Sequence, residues 1–312
     1  MSMRYSRAVS HRMHMNTNNT QKRFCVIGCG RVGTHLAVHL AGQGYRPSAF
    51  SSRTFASARN AAFHAGEGKV FENAADAAAT CELIFITTPD ICIAPVCDQI
   101  AADGGCNENS VVFHLSGALS SEILASAQKT GAQTGSLHPL QAFAPYEPGH
   151  ASPFTGINMS VEGTDGAAAL GHKIAAALEA RAFTIPTDAK ILYHAAAVVA
   201  SNYLVTLEHV ALTLLAQTGL EQERAYEILA PLIQGTLGNI ASKGSVDALT
   251  GPVVRGDTAV IARHLADIDK KMPQFSALYR LLGQHTLEIA RKRKDFPKAA
   301  DQALWDLLKN HS

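Results

Sequence analysis

The sequence predicts an α/β fold: a Rossmann-type, doubly wound, mostly parallel sheet followed by an all-α C-terminal domain. Three observations carry this. From Phe24 onward, short apolar runs alternate with Ala-rich stretches of helical period. A Gly-Cys-Gly-Arg-Val-Gly turn joins the first run to the first helix. The alternation stops near Pro186, and only helical periodicity follows to the end of the chain.

Taken in order, strands are expected at 24–27, 48–51, 69–71, 83–87, 111–115, 133–137, 157–161 and 182–185. Helices are expected between them at 32–43, 57–65, 74–80, 94–102, 121–130 and 166–178. Strand and helix in this rhythm imply parallel strands with both sheet faces covered. Beyond that, a long helix is expected near 188–217, then helices at 222–241, 258–267, 274–293 and 298–308. Gly219, Gly244, the Thr250-Gly251-Pro252 knot and Lys294-Asp295-Phe296-Pro297 separate them. This divides the chain into a dinucleotide-binding domain at 22–187 and a helical substrate and dimerisation domain at 188–312. Residues 1–21 are polar, lack an apolar signal core and are expected to be a disordered tail. They are also free of acids, which leaves a faint transit-peptide alternative.

With 312 residues, 47% hydrophobic and 17% charged, the chain suits two domains with sizeable cores and excludes wholesale disorder. A net charge of +1 without a basic stripe argues against nucleic acid as a partner. Six cysteines show neither a CxxC pair nor zinc spacing, so no metal site is expected and reduced core thiols in a cytoplasmic protein are. The longest apolar run, 195–216, is interrupted by Asn202, Glu208 and His209. It is therefore expected to be a buried core helix rather than a membrane span. Its surplus of apolar surface also suits a homodimer. The basic stretch 291–294 reads as a solvated helix end.

In the Gly-rich turn, Gly28 permits the tight bend, Gly30 lets backbone approach a pyrophosphate, and Gly33 lets helix and strand pack closely. The amides of Arg31, Val32 and Gly33 open the helix and would face the anion. The end of the second strand reads Phe50-Ser51-Ser52-Arg53-Thr54, where NAD and FAD sites place an acid. A guanidinium among hydroxyls suits the 2′-phosphate of NADP instead. Its alternative is a loop residue facing water. The missing acid also counts against a flavoenzyme or a methyltransferase. Thr87-Thr88-Pro89 and Ser116-Gly117 end two further strands at the same rim, leaving room for a nicotinamide ribose and ring, although small residues there also make ordinary turns.

Taken together, these segments resemble a known family, the NADP oxidoreductases that pair a Rossmann-like domain with the helical domain of unknown function 2520. The resemblance rests on Gly135-Ser136-Leu137-His138-Pro139-Leu140-Gln141-Ala142-Phe143, Lys190-Ile191-Leu192-Tyr193-His194-Ala195-Ala196, Ala200-Ser201-Asn202-Tyr203 and the stretch from Thr250 to Asp257. More distantly the layout is similar to pyrroline-5-carboxylate reductases, prephenate dehydrogenases and deazaflavin-dependent NADP oxidoreductases. The resemblance implies a dimer-forming helical domain like that of 6-phosphogluconate dehydrogenase; it names no substrate. The chain departs from hydroxyacid dehydrogenases, whose catalytic lysine is followed four residues later by asparagine; here His194 follows Lys190.

Hydride transfer needs a partner for the proton. Lys190 and His194, at i and i+4, share one helix face, with Asn202 two turns on and rotated by roughly 80°. His194 suits the proton role, as does His138 at a strand end. Lys190 suits a substrate carboxylate or an imine product, and Arg255 a carboxylate or an acid across a dimer interface. Each residue has a structural alternative: a hydrogen-bonded core histidine for His194, a rigid-turn histidine for His138, a solvated first-turn lysine, and a helix–helix hydrogen bond for Asn202. Asp257 reads as a helix N-cap. The sequence thus points to an NADP-dependent oxidoreductase acting on a small carbonyl or imine acid between its domains. The alternative is a non-catalytic NADP(H)-binding sensor or interaction protein.

Overall fold

The computed structural model describes residues 22–220 and 222–309, so the tail expected at 1–21 lies outside the described residues. The described residues divide into two compact units, one ending at Val199 and the other beginning at Ala200. The first runs β1 (Arg23–Ile27), α1 (Arg31–Gly42), β2 (Arg46–Ser51), α2 (Phe55–Ala65), β3 (Lys69–Phe71), α3 (Ala74–Ala78), β4 (Leu83–Ile86), α4 (Asp90–Ala102) and β5 (Val111–His114). It continues through α5 (Ala125–Lys129), β6 (Gln133–Pro139), β7 (Asn158–Gly163), α6 (Asp165–Ala177), β8 (Arg181–Thr184) and α7 (Lys190–Val198).

The eight strands form one sheet in the order β3-β2-β1-β4-β5-β6-β7-β8. Every pair is parallel except β6 with β7. The first six strands thus have the doubly wound dinucleotide-binding order, extended by two. Alternation along each strand builds two cores. Phe24 and Val26 of β1 join Phe50, Phe85 and Phe113 on one face. Cys25 and Ile27 join Ile84, Ile86 and Val112 on the other. Five of the six free cysteines are buried and Cys92 is partly so; burial pushes the Cys29 thiol up to about 12, as befits an apolar filler.

The second unit contains α8 (Leu204–Ala216), α9 (Gln222–Ala248), α10 (Thr258–Lys271), α11 (Ser276–Ala290) and α12 (Asp301–Leu308). Helix α9 breaks at Gly244, whose φ of +75° is left-handed, as its turn signal anticipated. Asp257 caps α10 by accepting from the Val260 amide at 3.0 Å. Val254, Ile261, Leu265, Leu287, Phe296 and Leu304 form this unit's core. The basic stretch follows the end of α11 with Arg291, Lys292 and Lys294 exposed, as expected of a solvated helix end. Arg291 pairs with Asp301 at 2.7 Å and lies over Trp305, while Arg293 pairs with Asp295 at 2.8 Å.

Two expectations about the long helix are corrected. It is not uniformly α-helical: Val199–Tyr203 form a π-turn, whose extra residue invalidates an angular position for Asn202 counted at 3.6 residues per turn. Nor is it buried. From 191 to 217 no residue is buried within the chain, and Leu192 and Val205 are 79% and 69% exposed. The run Thr187–Ala216 is the one described helix long and apolar enough to cross a membrane by length and composition. Its composition marks a face that needs covering, but the chain's own packing does not cover it.

Candidate active site

The Gly-rich turn and the ends of β1, β2 and β4 enclose a cavity of about 820 Å³. Backbone hydrogen bonds knit its floor, from the Gly28 amide to the Ser51 carbonyl at 2.8 Å and from the Thr87 amide to the Ile27 carbonyl at 2.8 Å. Gly28, with φ +103°, lies so close to Thr88 that a Cβ would stand 2.7 Å from its amide nitrogen. Gly30 has open space beside it. It is also the N-cap of α1 and provides no side-chain cap, so the first amides of the helix remain available to an anion. The Thr88 hydroxyl is buried without a partner. These features fit a dinucleotide: a tight backbone cradle, uncapped amides and a spare hydroxyl.

Of the residues expected at the cofactor's phosphates and adenosine, Gly28, Gly30, Arg31, Val32, Ser51, Ser52, Arg53 and Thr54 line this cavity, with Thr87, Thr88 and Pro89 opposite; Gly33 sits behind it, packed against the Gly28 carbonyl, Thr87 and Val26. Two of the hydroxyls have structural duties. Ser52 accepts from the Cys29 amide at 3.3 Å, and Thr54 caps α2 by accepting from the Ser57 amide at 3.4 Å. Arg53 is exposed and unbonded among the described residues. Sequence reasoning missed Ser57, Glu72, Asn73, Cys92, Val96 and Gln99, which also line it. The last three lie on α4, whose apolar period gives no sign of which face borders a cavity.

Ser116 and Gly117 lie apart from this cavity lining, in a polar cluster at the ends of β5 and β6. The Ser116 hydroxyl donates to Asp90 at 2.9 Å and accepts from the amides of Ala118 and Leu119. Gly117 is pressed between two imidazoles: a Cβ there would stand 2.6 Å from His194 Nδ1 and 2.7 Å from His138 Nε2. The two rings meet edge-on with centroids 6.1 Å apart. His138 Nδ1 is 2.8 Å from the Tyr193 hydroxyl, and His194 Nδ1 is buried without a partner.

Lys190 is the surprise of this cluster. It is 1% exposed, so it is not a solvated first-turn residue; its Nζ donates to the Ser136 hydroxyl at 2.6 Å. Burial pushes its ammonium down to about 8, against a partial pull upward from Glu162. That carboxylate, 2% exposed, accepts from the Ser121 amide at 2.7 Å and from the hydroxyls of Ser121 and Thr187. Burial first, and the Lys190 charge second, push His114 down to about 3 and His138 to about 4. The structure therefore brings Lys190, His194 and His138 together. It leaves Asn202, in the π-turn, and Arg255, before α10, exposed in the other unit. Tyr193, Glu162, Ser136 and His114 were missed. Tyr193 was within reach of the same argument, since i+3 from Lys190 lies on its face. A lone acid directly after the strand expected at 157–161 was the available sign for Glu162.

The histidine shifts set a pH dependence. An unfolded chain protonates these imidazoles near pH 6.5, whereas the folded chain refuses the proton until about 4 or 3. Stability is thus fully present above pH 6.5 and is lost as pH falls below it. By pH 5 the loss is about 2 kcal/mol per imidazole. Urea midpoints at pH 7 and pH 5, with His114→Asn to flatten the slope, check this.

Comparison with known proteins agrees with this geometry. Residues 11–139 match the Rossmann-like domain family, and residues 157–286 match the domain of unknown function 2520. The chain carries a Rossmann-like domain and, after it, a match to the domain of unknown function 2520. That second domain, as matched, includes β7, α6 and β8 as well as helices of the second unit. This Rossmann-like protein is similar to a candidate NADP oxidoreductase from Bacteroides fragilis, 25% identical over 86% of this chain and 99% of that one, with a TM-score of 0.71. A pyrroline-5-carboxylate reductase from Coxiella burnetii, at 15% identity, covers 94% of this chain and 100% of its own with a TM-score of 0.55. A reductive aminase from Aspergillus terreus, determined with NADPH and ethyl levulinate, is 16% identical over 93% of each chain with a TM-score of 0.55. The last two show the shared fold alone. No curated protein sequence matches. The fold is shared with these oxidoreductases.

Proposed function

We propose that the chain is an NADP-dependent oxidoreductase that moves a hydride to or from a small carbonyl or imine acid. The observation that carries this is the cradle at Gly28–Gly33 with Arg53, and no acid, at the end of β2. The similarity to a candidate NADP oxidoreductase supports it. A nicotinamide coenzyme held there would supply the hydride chemistry. The chain's own residues supply the rest: backbone amides bind phosphate, Arg53 binds the 2′-phosphate, and His138 with His194 handles the proton. Arg255 and Asn202 remain the proposed substrate contacts from the helical unit. Two measurements test the reading. NADPH at millimolar concentration should raise the melting temperature. NADPH should also be consumed with some member of a panel of keto and imino acids, and the turnover should fall in His194→Ala. Stabilisation without turnover on any substrate would instead favour a sensor.

We further propose a cytoplasmic homodimer formed through the helical unit. Support comes from Tyr203 before α8, Val205 on α8, and Tyr226, Leu232 and Leu237 on α9, all between 47% and 69% exposed. These two helices pack on one another and leave an apolar surface of the kind that a second copy covers. A bilayer is the poorer occupant, because Glu208 and His209 interrupt the run. Val205→Asp with Leu232→Asp should turn a dimer into a monomer by light scattering; a monomeric parent at 50 μM (roughly the range in which standard interfaces hold) would end this proposal.

A further inference from the structure

A buried lysine beside the buried His114 and the partly buried His138 is a costly arrangement, because each imidazole proton would add a second positive charge in a medium of low dielectric. The residues around His138 can be named from every side. Behind it on α7 stand Lys190, Tyr193 and His194; on β5 stands His114; and Glu162 on β7 is the register partner of Ser136, the residue that holds Lys190. Among these residues Glu162 is the single acid that opposes the Lys190 ammonium. The Lys190 ammonium points into the protein at Ser136, whose hydroxyl in turn lies 3.4 Å from the Ser116 carbonyl. Inward aim and near-zero exposure are the wrong geometry for a group that grips a substrate carboxylate. They suit one that acts on its neighbours.

We propose that Lys190 is a positioning residue: its buried ammonium, held at Ser136 two residues before His138 on the same strand, keeps the His138 ring able both to donate to and to accept from the Tyr193 hydroxyl, and this His138–Tyr193 pair is what meets the substrate. The proposal rests on the oxidoreductase reading for its purpose, though not for its physics. A neutral ring in a 2.8 Å contact with a phenol leaves one shared proton between them, carried by Nδ1 or by the hydroxyl. With Nδ1–H donating, the phenol O–H is free to bond a carbonyl oxygen or imine nitrogen. With Nδ1 accepting, the ring can instead receive the phenol proton, which a charged ring, donating from both nitrogens, cannot do. Gly117 belongs to the same design, since any side chain there would occupy the space between the two histidines.

The test reads the ring directly, by ¹⁵N-detected titration of histidine side chains in the intact protein. In the parent protein, His138 keeps neutral-imidazole shifts from pH 8 down to pH 5. In Lys190→Met its midpoint rises by about one pH unit or more, toward the ordinary value. Lys190→Arg, which keeps the charge, holds the ring neutral, whereas a mere packing role would predict that Arg fails as Met does. Should Lys190→Met not fold because Glu162 is left unpaired, Lys190→Met/Glu162→Gln removes both charges and shows the same rise. A His138 midpoint near 6.5 in the parent protein overturns the proposal, as does an unmoved midpoint in both Met variants. Failure of the oxidoreductase reading is seen separately, as absence of NADPH binding while the ring titrates as described.

Discussion

Gly33→Ala is expected to lose NADPH binding altogether at concentrations that saturate the parent protein, and to melt several degrees lower. The added methyl would overlap the Gly28 carbonyl oxygen, stand 2.5 Å from the Thr87 hydroxyl and 3.1 Å from Val26 Cγ1. Helix α1 must then move off the sheet at the point where the Gly28 turn and β4 meet. Overpacking of this kind costs roughly 1–3 kcal/mol, which in a protein of this size is several degrees. Gly30→Ala supplies the contrast, because no atom lies within 4 Å of the Cβ it would add. It should melt with the parent and still bind poorly, since its methyl occupies the path by which backbone approaches a pyrophosphate. Fluorescence titration with NADPH alongside thermal melts separates the two. If Gly33→Ala bound NADPH within about threefold of the parent, a magnitude well under one hydrogen bond to a charged group, the cradle would not be the binding site.

The same glycines explain why so much of the fold could be read in advance. Gly28, Gly30 and Gly33 act through local backbone geometry, and local geometry is written in consecutive residues. Strands such as Leu83–Ile86 were equally legible, because a strand covered on both faces is a short continuous apolar run. The reversal of β7 was not legible. Parallel and antiparallel neighbours in a covered sheet share one composition, and the direction is set by the long connection from 140 to 157. The exposed helix failed for a related reason. An apolar run states that a surface must be covered, yet it does not state whether the cover belongs to the same chain.

At the polar cluster, helical spacing correctly put Lys190 and His194 on one face. Spacing could not reveal that the lysine aims inward, because that depends on Ser136 and Glu162, 54 and 28 residues upstream and supplied by two other strands. A lysine that begins a helix usually lies in water, and composition offers no sign of the exception. Buried charge is decided by partners distant in sequence. For that reason Lys190, His194 and His138 were found singly, while Ser136, Glu162 and the division of labour among them were not.

Arg53→Asp is expected to invert the choice of coenzyme. Arg53 is exposed at the end of β2 with no partner among the described residues, while the neighbouring hydroxyls of Ser52 and Thr54 are engaged with the Gly-rich turn and the start of α2. Its guanidinium is thus the one cation of this turn free to receive a 2′-phosphate. Charge-assisted hydrogen bonds of this type contribute about 1.5–3 kcal/mol, so their loss should weaken NADPH roughly 10- to 100-fold. The two substitutions Arg53→Ala and Arg53→Asp separate attraction from repulsion. Alanine removes the attraction, and NADH affinity should stay as it was. Aspartate adds repulsion toward the phosphate and an acceptor for a ribose hydroxyl, so NADH should gain while NADPH loses further. Added salt should erode NADPH binding by the parent more than NADH binding, because an exposed ion pair is screened. An unchanged ratio of the two affinities in Arg53→Asp would mean that the phosphate, if bound, is held elsewhere. Glu72, which lines the same cavity, would then be the residue at which to look for ribose recognition.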